Sequence, residues 1–263
     1  MNIIEAILLG IMQGLTEFLP VSSSGHIEIG KSLLGIQSSD NLLFSVIVHA
    51  ATALSTIIIY WNDIIKIFKG LLEFRMNDAT TFSFKIIISM IPLVFVGFLL
   101  ADQIEALFEG QILVVGFMLI ITGFLLAMTY YSPKKTGSIS YGKALLIGIA
   151  QTIAILPGIS RSGATIATAL MLGVDKEKAT RFSFLMVLVP ILGGAGKKLL
   201  EYMSLPSGQG SISTVSLIAG FLAAFIAGLF ACRWMIKIVR KGKLIYFAYY
   251  CFLVGILAIL FNL

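Results

Sequence analysis

Six long apolar runs mark the chain: Leu42–Trp61, Phe84–Ala101, Ile112–Tyr131, Phe182–Gly196, Ser213–Met235 and Leu244–Leu263. Each is close to the ~20 residues that an α-helix needs to cross a bilayer, so each predicts a membrane span. Two further apolar stretches, Ile3–Ile36 and Tyr141–Val174, read differently, because Pro, Ser and Gly interrupt each near its centre. Half of either stretch is too short to span. Each predicts a helix, a break and a second helix, arranged as a re-entrant hairpin that enters and leaves on one face.

Composition agrees with this pattern. Of 263 residues, 58% are hydrophobic and only 12% charged, where soluble domains carry about a quarter charged residues. The mean hydropathy is +1.00, and the chain reads as an all-α integral membrane protein. Its start does not read as a cleavable signal, since it lacks a basic leader region and carries Glu5. The net charge of +6 predicts basic cytoplasmic loops rather than a nucleic-acid partner. Cys232 and Cys251 lie in apolar segments without metal-type spacing, which predicts neither a disulfide framework nor a zinc site.

The chain also repeats itself. Shifted by 138 positions without a gap, 12 of the 40 positions from 6 to 45 are identical, among them Gln13 with Gln151, Ser22 with Ser160, Ser24 with Ser162 and Gly25 with Gly163. One membrane domain, 1–263, is therefore expected to hold two repeats. Repeat one is 1–135, with its hairpin at 3–36, and repeat two is 141–263, with its hairpin at 141–174. Each contributes three spans, an odd number, so the second is inverted relative to the first, giving six transmembrane helices plus two re-entrant hairpins.

Fifteen basic residues then fall on one side (Lys66, Lys69, Arg75, Lys85, Lys134, Lys135, Lys143, Lys176, Lys178, Arg181, Arg233, Lys237, Arg240, Lys241 and Lys243). Three, Lys31, Lys197 and Lys198, fall on the other, together with the acidic loop holding Asp102, Glu105 and Glu109. The positive-inside rule places both termini outside.

The two breaks carry the candidate chemistry. Gln13 and Glu17 share one helix face at i, i+4. Pro20 ends that helix near Leu19, and Ser22, Ser23, Ser24 and Gly25 turn the chain into a helix carrying His26. The second break runs Pro157-Gly158, then Ser160-Arg161-Ser162-Gly163. Helix N-termini offer free N–H groups and a positive dipole end, so two that meet from opposite faces make a site for a strong anion. Where the repeats differ, Glu17, Ser23 and His26 stand against Ile155, Arg161 and Ala164. One half thus brings acid, hydroxyl and imidazole, and the other a guanidinium whose fork suits phosphate oxygens. A carboxylate such as Glu17 can hold Mg²⁺ or Ca²⁺ against a diphosphate, or orient the histidine.

QGLTEFLPVSSSGH and LPGISRSGAT resemble the two signature motifs of the undecaprenyl-diphosphate phosphatase family, the bacitracin-resistance proteins, and the similarity runs the length of the chain. The resemblance implies hydrolysis of a C55 isoprenyl diphosphate to its monophosphate and inorganic phosphate at the bacterial plasma membrane, which recycles the carrier of wall precursors. It maps Glu17, Ser23, His26 and Arg161 onto residues assigned to the family's site. The chain departs at Gln13, where many members carry Glu, leaving Glu17 as the single carboxylate.

On this reading Ser23 attacks the terminal phosphorus, with His26 as its acid/base partner; otherwise Ser23 positions a water, or His26 attacks directly. Glu17 binds metal or orients His26. Arg161, Gln13, Ser22, Ser24, Gly25, Ser160, Ser162 and Gly163 hold the diphosphate. His49 reads as a packing residue, and Tyr130, Tyr131, Trp61 and Tyr246–Tyr250 as interfacial anchors. A different class, a transporter or flippase of a prenyl phosphate lipid, fits the inverted repeats but has no use for Ser23, His26 and Glu17. The sequence is compatible with a monomer or an oligomer.

Overall fold

A computed structural model of the chain describes residues 1–35, 41–100, 111–132, 136–204 and 212–261. Among them the regular structure is helical: α1 (Ile3–Phe18), α2 (Ser23–Leu34), α3 (Asn41–Ile59), α4 (Trp61–Leu71), α5 (Asp78–Leu99), α6 (Ile112–Met128), α7 (Tyr141–Ile153), α8 (Arg161–Met171), α9 (Lys176–Ser204), α10 (Thr214–Lys241) and α11 (Ile245–Phe261). The acidic loop of Asp102, Glu105 and Glu109, and Lys134 and Lys135, lie outside the described residues.

Four of these helices are long and apolar enough to cross a membrane: α5, α6 with the 3₁₀ turn that extends it to Tyr131, α9 and α10. A fifth span arises if α3 and α4 count as one, and α11 is a shorter apolar helix of 17 residues. The protein is thus a multi-pass helical membrane protein. On α5 the side chains of Phe84, Ile87, Ile91, Val94, Phe95 and Phe98 are exposed, an apolar surface suited to lipid hydrocarbon.

One helix departs from the expected loop. Lys66 and Lys69 sit on α4, which leaves α3 at an angle of 76°. Trp61, Ile64, Ile65, Phe68 and Leu71 repeat at three- and four-residue spacing with Asp63, Lys66 and Lys69 between them, so an amphipathic helix forms where net hydropathy alone reads as a boundary. Asp63 ties it to α9 by an ion pair with Arg181 at 2.7 Å.

Each broken stretch is a helix pair. Asn2 and Glu5 close a capping box at the start of α1, the Asn2 side chain accepting from the Glu5 amide at 2.9 Å. The pair α7–α8 is closed at its base: the Gly137 amide donates to the Gly173 carbonyl at 3.2 Å and the Asp175 amide to the Gly137 carbonyl at 3.0 Å.

Packing crosses between the two halves of the sequence. α1 lies along α10, α7 along α5, and α6 along α11, while α3 packs on both α9 and α10. Small residues make this possible. A Cβ on Gly14 would stand 2.4 Å from the Ala224 carbonyl oxygen, and one on Gly10 2.5 Å from that of Gly220. Close backbone approach of this kind is a common way for helices to associate in lipid, where no hydrophobic effect drives them together. Under the breaks, Phe18 meets Phe184 edge-on at 5.8 Å, beside Ile166 and Met235.

The α7–α5 seam gives a test of this packing. A Cβ on Gly148 would sit 2.2 Å from the Ser89 carbonyl oxygen, whereas one on Gly142 of the same helix meets nothing within 4 Å. Gly148→Ala should lower the melting temperature in detergent well below that of Gly142→Ala, since overpacking costs typically ~1–3 kcal/mol. Equal melting temperatures for the two variants would contradict the close approach of α7 to α5.

Candidate active site

The first break forms because Pro20 disfavours helical backbone at Leu19, which is extended (φ −69°, ψ 143°). Two residues on, Ser22 caps α2: its Oγ accepts from the Gly25 amide at 3.2 Å. Ser22 does so at φ 71°, a region costly for a residue with a Cβ and tolerated where the surroundings fix it. Its counterpart Ser160 caps α8 with ordinary extended backbone, accepting from the Gly163 amide at 3.0 Å.

The two breaks touch. The Ser162 hydroxyl donates to the Leu19 carbonyl at 3.4 Å. A Cβ on Gly163 would lie 3.2 Å from the Pro20 Cβ, and one on Gly25 3.2 Å from the Gly158 Cα. The amide ends of α2 and α8 therefore converge, as an anion site requires.

Glu17 lies at the centre with a side chain only 4% exposed. Three donors surround its carboxylate. Gln13 Nε2 donates to Oε2 at 3.0 Å, the Ser23 hydroxyl to the same oxygen at 2.6 Å, and Arg161 Nη2 to Oε1 at 3.1 Å. An unpaired charge at this burial would be very costly; an ion pair with two further hydrogen bonds offsets the desolvation. Gln151, which occupies the corresponding place in the second half, has no carboxylate to serve. Among the described residues its amide nitrogen meets Met90 Sδ, at 3.7 Å, and its Oε1 is buried without a partner.

His26 is turned elsewhere. Its Nδ1 is 2.9 Å from the Ser22 carbonyl and its Nε2 2.8 Å from the Tyr250 hydroxyl. The residue on the Ser23 hydroxyl is thus Glu17, and neither ring nitrogen of His26 bonds Glu17. Ser22 and Ser24 bond each other at 3.3 Å, and Ser160 and Ser162 at 3.2 Å.

For a divalent cation, the donor set is one carboxylate with a guanidinium already on one oxygen. No group of three or more His, Cys, Asp or Glu fit to hold a metal occurs among the described residues. Mg²⁺ commonly takes one or two carboxylates and completes its shell with substrate phosphates and water. The residues fit a cation of that kind, shared between Glu17 and a bound diphosphate, and not one caged by protein alone.

Three residues escaped the sequence reading. Thr122 of α6 holds the second break: its Oγ1 accepts from the Ser160 amide and donates to the Gly158 carbonyl, both at 3.1 Å. Tyr250 meets His26. His49, expected only to pack, bonds the Ser45 carbonyl through Nδ1 at 2.8 Å and lines a small cleft with Gln13, Lys31 and Ser45. A lone Thr or Tyr in an apolar span carries no local signal, and only the fold reveals its partner.

A multi-pass helical protein with a buried carboxylate, and a half-buried hydroxyl and guanidinium on it, between two helix N-termini is thereby defined. The family described as bacitracin resistance protein BacA matches residues 6–257, and the chain belongs to that family. Relatives named undecaprenyl-diphosphatase include those of Bacteroides thetaiotaomicron, 52% identical with all of both chains covered, and Christiangramia forsetii, 55% identical over 99% of this chain and 98% of the relative. A third, from Halothermothrix orenii, is 40% identical over 99% of this chain and 98% of its own.

Thr122 supplies the prediction here. Thr122→Val keeps the shape but strands the buried Ser160 amide, a loss of about 1–3 kcal/mol. It should lower the melting temperature, and Thr122→Ser should restore it. Wild-type stability in Thr122→Val would show that the hydroxyl is not what fixes this turn.

Proposed function

We propose that this protein hydrolyses undecaprenyl diphosphate to undecaprenyl phosphate and inorganic phosphate in the bacterial plasma membrane, returning the lipid carrier to cell-wall synthesis and conferring bacitracin resistance. The names of its relatives support the substrate. The observation that carries the chemistry is the Ser23 hydroxyl, 2.6 Å from a buried carboxylate that Arg161 holds from its other oxygen. A lipid carrier without hydrolysis needs the guanidinium and the helix ends but no such pair.

Ser23 Oγ attacks the terminal phosphorus as its proton passes to Glu17 Oε2. The bond from that phosphorus to the bridging oxygen breaks, and undecaprenyl phosphate leaves. Protonation of Glu17 removes the charge that holds Arg161, so the guanidinium is released to the phosphate oxygens as their charge develops. Gln13 keeps Glu17 aimed at Ser23. The amides at the starts of α2 and α8, with Ser22, Ser24, Gly25, Ser160, Ser162 and Gly163, receive the remaining oxygens. Water then attacks the phosphoserine with His26 taking its proton; the bond from phosphorus to Ser23 Oγ breaks, Glu17 returns its proton to Oγ, and inorganic phosphate leaves. Mg²⁺ or Ca²⁺ would be held mainly by the diphosphate, with Glu17 as its protein ligand only while that carboxylate is ionised, and would supply charge neutralisation.

The same reading includes six spans and two re-entrant hairpins in inverted repeats, 1–135 and 141–263, with both termini outside. It is supported by the bonded base of the α7–α8 pair, by the matched packing of α1 on α10 and α7 on α5, and by the uneven distribution of basic residues.

Phosphate release from undecaprenyl diphosphate by purified protein in detergent, with Mg²⁺ and with a chelator, tests the activity and the metal; undiminished turnover in chelator rejects the metal. Ser23→Ala and Glu17→Gln should each lose on the order of 10²-fold or more. Arg161→Lys should retain the melting temperature yet lose hydrolysis heavily, because the charge remains and the planar fork is gone. Normal turnover in Ser23→Ala would move the attack to water or to His26.

Topology has its own test. With Cys232 and Cys251 replaced, a cysteine at Asn2 should react with a membrane-impermeant reagent added to intact cells, and one at Lys241 should not. The opposite pattern would overturn the inverted arrangement.

A further inference from the structure

The helix α3 has 19 residues, roughly 28 Å at ~1.5 Å per residue, close to the ~30 Å of a hydrocarbon core. α4 leaves it at 76°. A helix that turns this sharply where a span ends runs nearly along the membrane surface. One side of α4 is given to the protein. Asp63 pairs with Arg181 at 2.7 Å, Ile64 and Ile67 join the cluster around Tyr60 and Phe184, and a Cβ on Gly70 would lie 2.5 Å from that of Ala79.

The other side is uncovered. At ~100° per residue, Trp61, Ile65, Phe68 and Leu72 fall within about 60° of one another, and Trp61, Phe68 and Leu72 are 54%, 62% and 71% exposed. Phe74 and Met76 carry exposed apolar surface on into the turn before α5. Charge lies beside this ridge: Lys69 flanks it and Lys66 follows, both exposed. The acidic residues of the segment are otherwise engaged. Asp63 is held by Arg181, Glu73 by Arg75 at 2.8 Å, and Asp78 stands in the first turn of α5, where the helix dipole favours it. Among the described residues neither Lys66 nor Lys69 forms an ion pair.

We propose that α4 is an interfacial helix that selects anionic phospholipid. Trp61, Phe68 and Leu72 enter the boundary between headgroups and acyl chains, and Lys66 and Lys69 meet the phosphates of lipids such as phosphatidylglycerol. A zwitterionic lipid carries its own ammonium beside the phosphate and gains little from a lysine, whereas an anionic one brings net charge; each lysine near such a surface is worth on the order of a fivefold preference. None of these residues belongs to the site of Glu17, Ser23 and Arg161.

The protein has two tryptophans, so Trp234→Phe leaves the fluorescence of Trp61 alone to report on α4. The full chain is reconstituted in vesicles of phosphatidylcholine and phosphatidylglycerol. Bromines on acyl carbons 6 and 7, next to the headgroup, should quench Trp61 more than bromines on carbons 11 and 12. At equal mole fraction, brominated phosphatidylglycerol should quench more than brominated phosphatidylcholine, with a relative affinity on the order of fivefold or more that shrinks in high salt. Lys66→Gln with Lys69→Gln should bring that ratio to one, while the depth order and the melting temperature in detergent stay as they were. A ratio of one before substitution, or a ratio that survives it, would overturn the selection of anionic lipid. Stronger quenching from carbons 11 and 12 would make α4 part of a span, and no quenching from any brominated lipid would show that a second copy of the chain covers the ridge; either result would overturn the interfacial helix.

Discussion

A carboxylate inside a membrane protein must be surrounded by donors or remain uncharged, and the architecture follows from meeting that demand at Glu17. Its three partners come from three places: Gln13 one turn back on α1, Ser23 across the first break, and Arg161 from the far half of the sequence. Two local partners alone would leave a net charge in a low-dielectric region. Arg161 cancels it, and to reach Glu17 the two breaks must meet. The ion pair therefore requires the convergence of α2 and α8, and with it the contact of Gly25 and Gly163 with the opposite break.

The two ends of this constellation are supported differently. On the second break, Thr122 bonds backbone on both sides of the turn, so the helix carrying Arg161 begins at a defined point. On the first, Ser22 adopts positive φ while its carbonyl accepts from His26 Nδ1. The serines correspond in sequence, but only the one beside the imidazole departs from extended backbone. Strain held at a site of chemistry, with an ordinary counterpart elsewhere in the molecule, is a form of preorganisation.

Much of this was legible in the sequence because membrane proteins make polar residues conspicuous. Gln13, Glu17 and Arg161 are rare types in apolar surroundings, and Pro20 and Pro157 mark where helices must stop. Within the described residues the six apolar runs fall mainly on helices, and the caps at Ser22 and Ser160 follow from residue type and spacing. What the sequence did not yield depends on distance in space. Its pairing of His26 with Ser23 rested on closeness along the chain, yet Tyr250 holds the imidazole from 224 residues away. The 76° turn from α3 into α4 was hidden because Trp61, Ile64 and Phe68 continue the hydrophobic count past it.

The seam between α1 and α10 bears on how such a chain can change over generations. At Gly10 and Gly14 the backbones approach so closely that even a methyl group meets a carbonyl oxygen. Neutral drift is therefore closed at these positions unless α10 changes in the same lineage. The two halves of the gene, however they originated, are bound to evolve as one, since neither α1 nor α10 can gain volume alone.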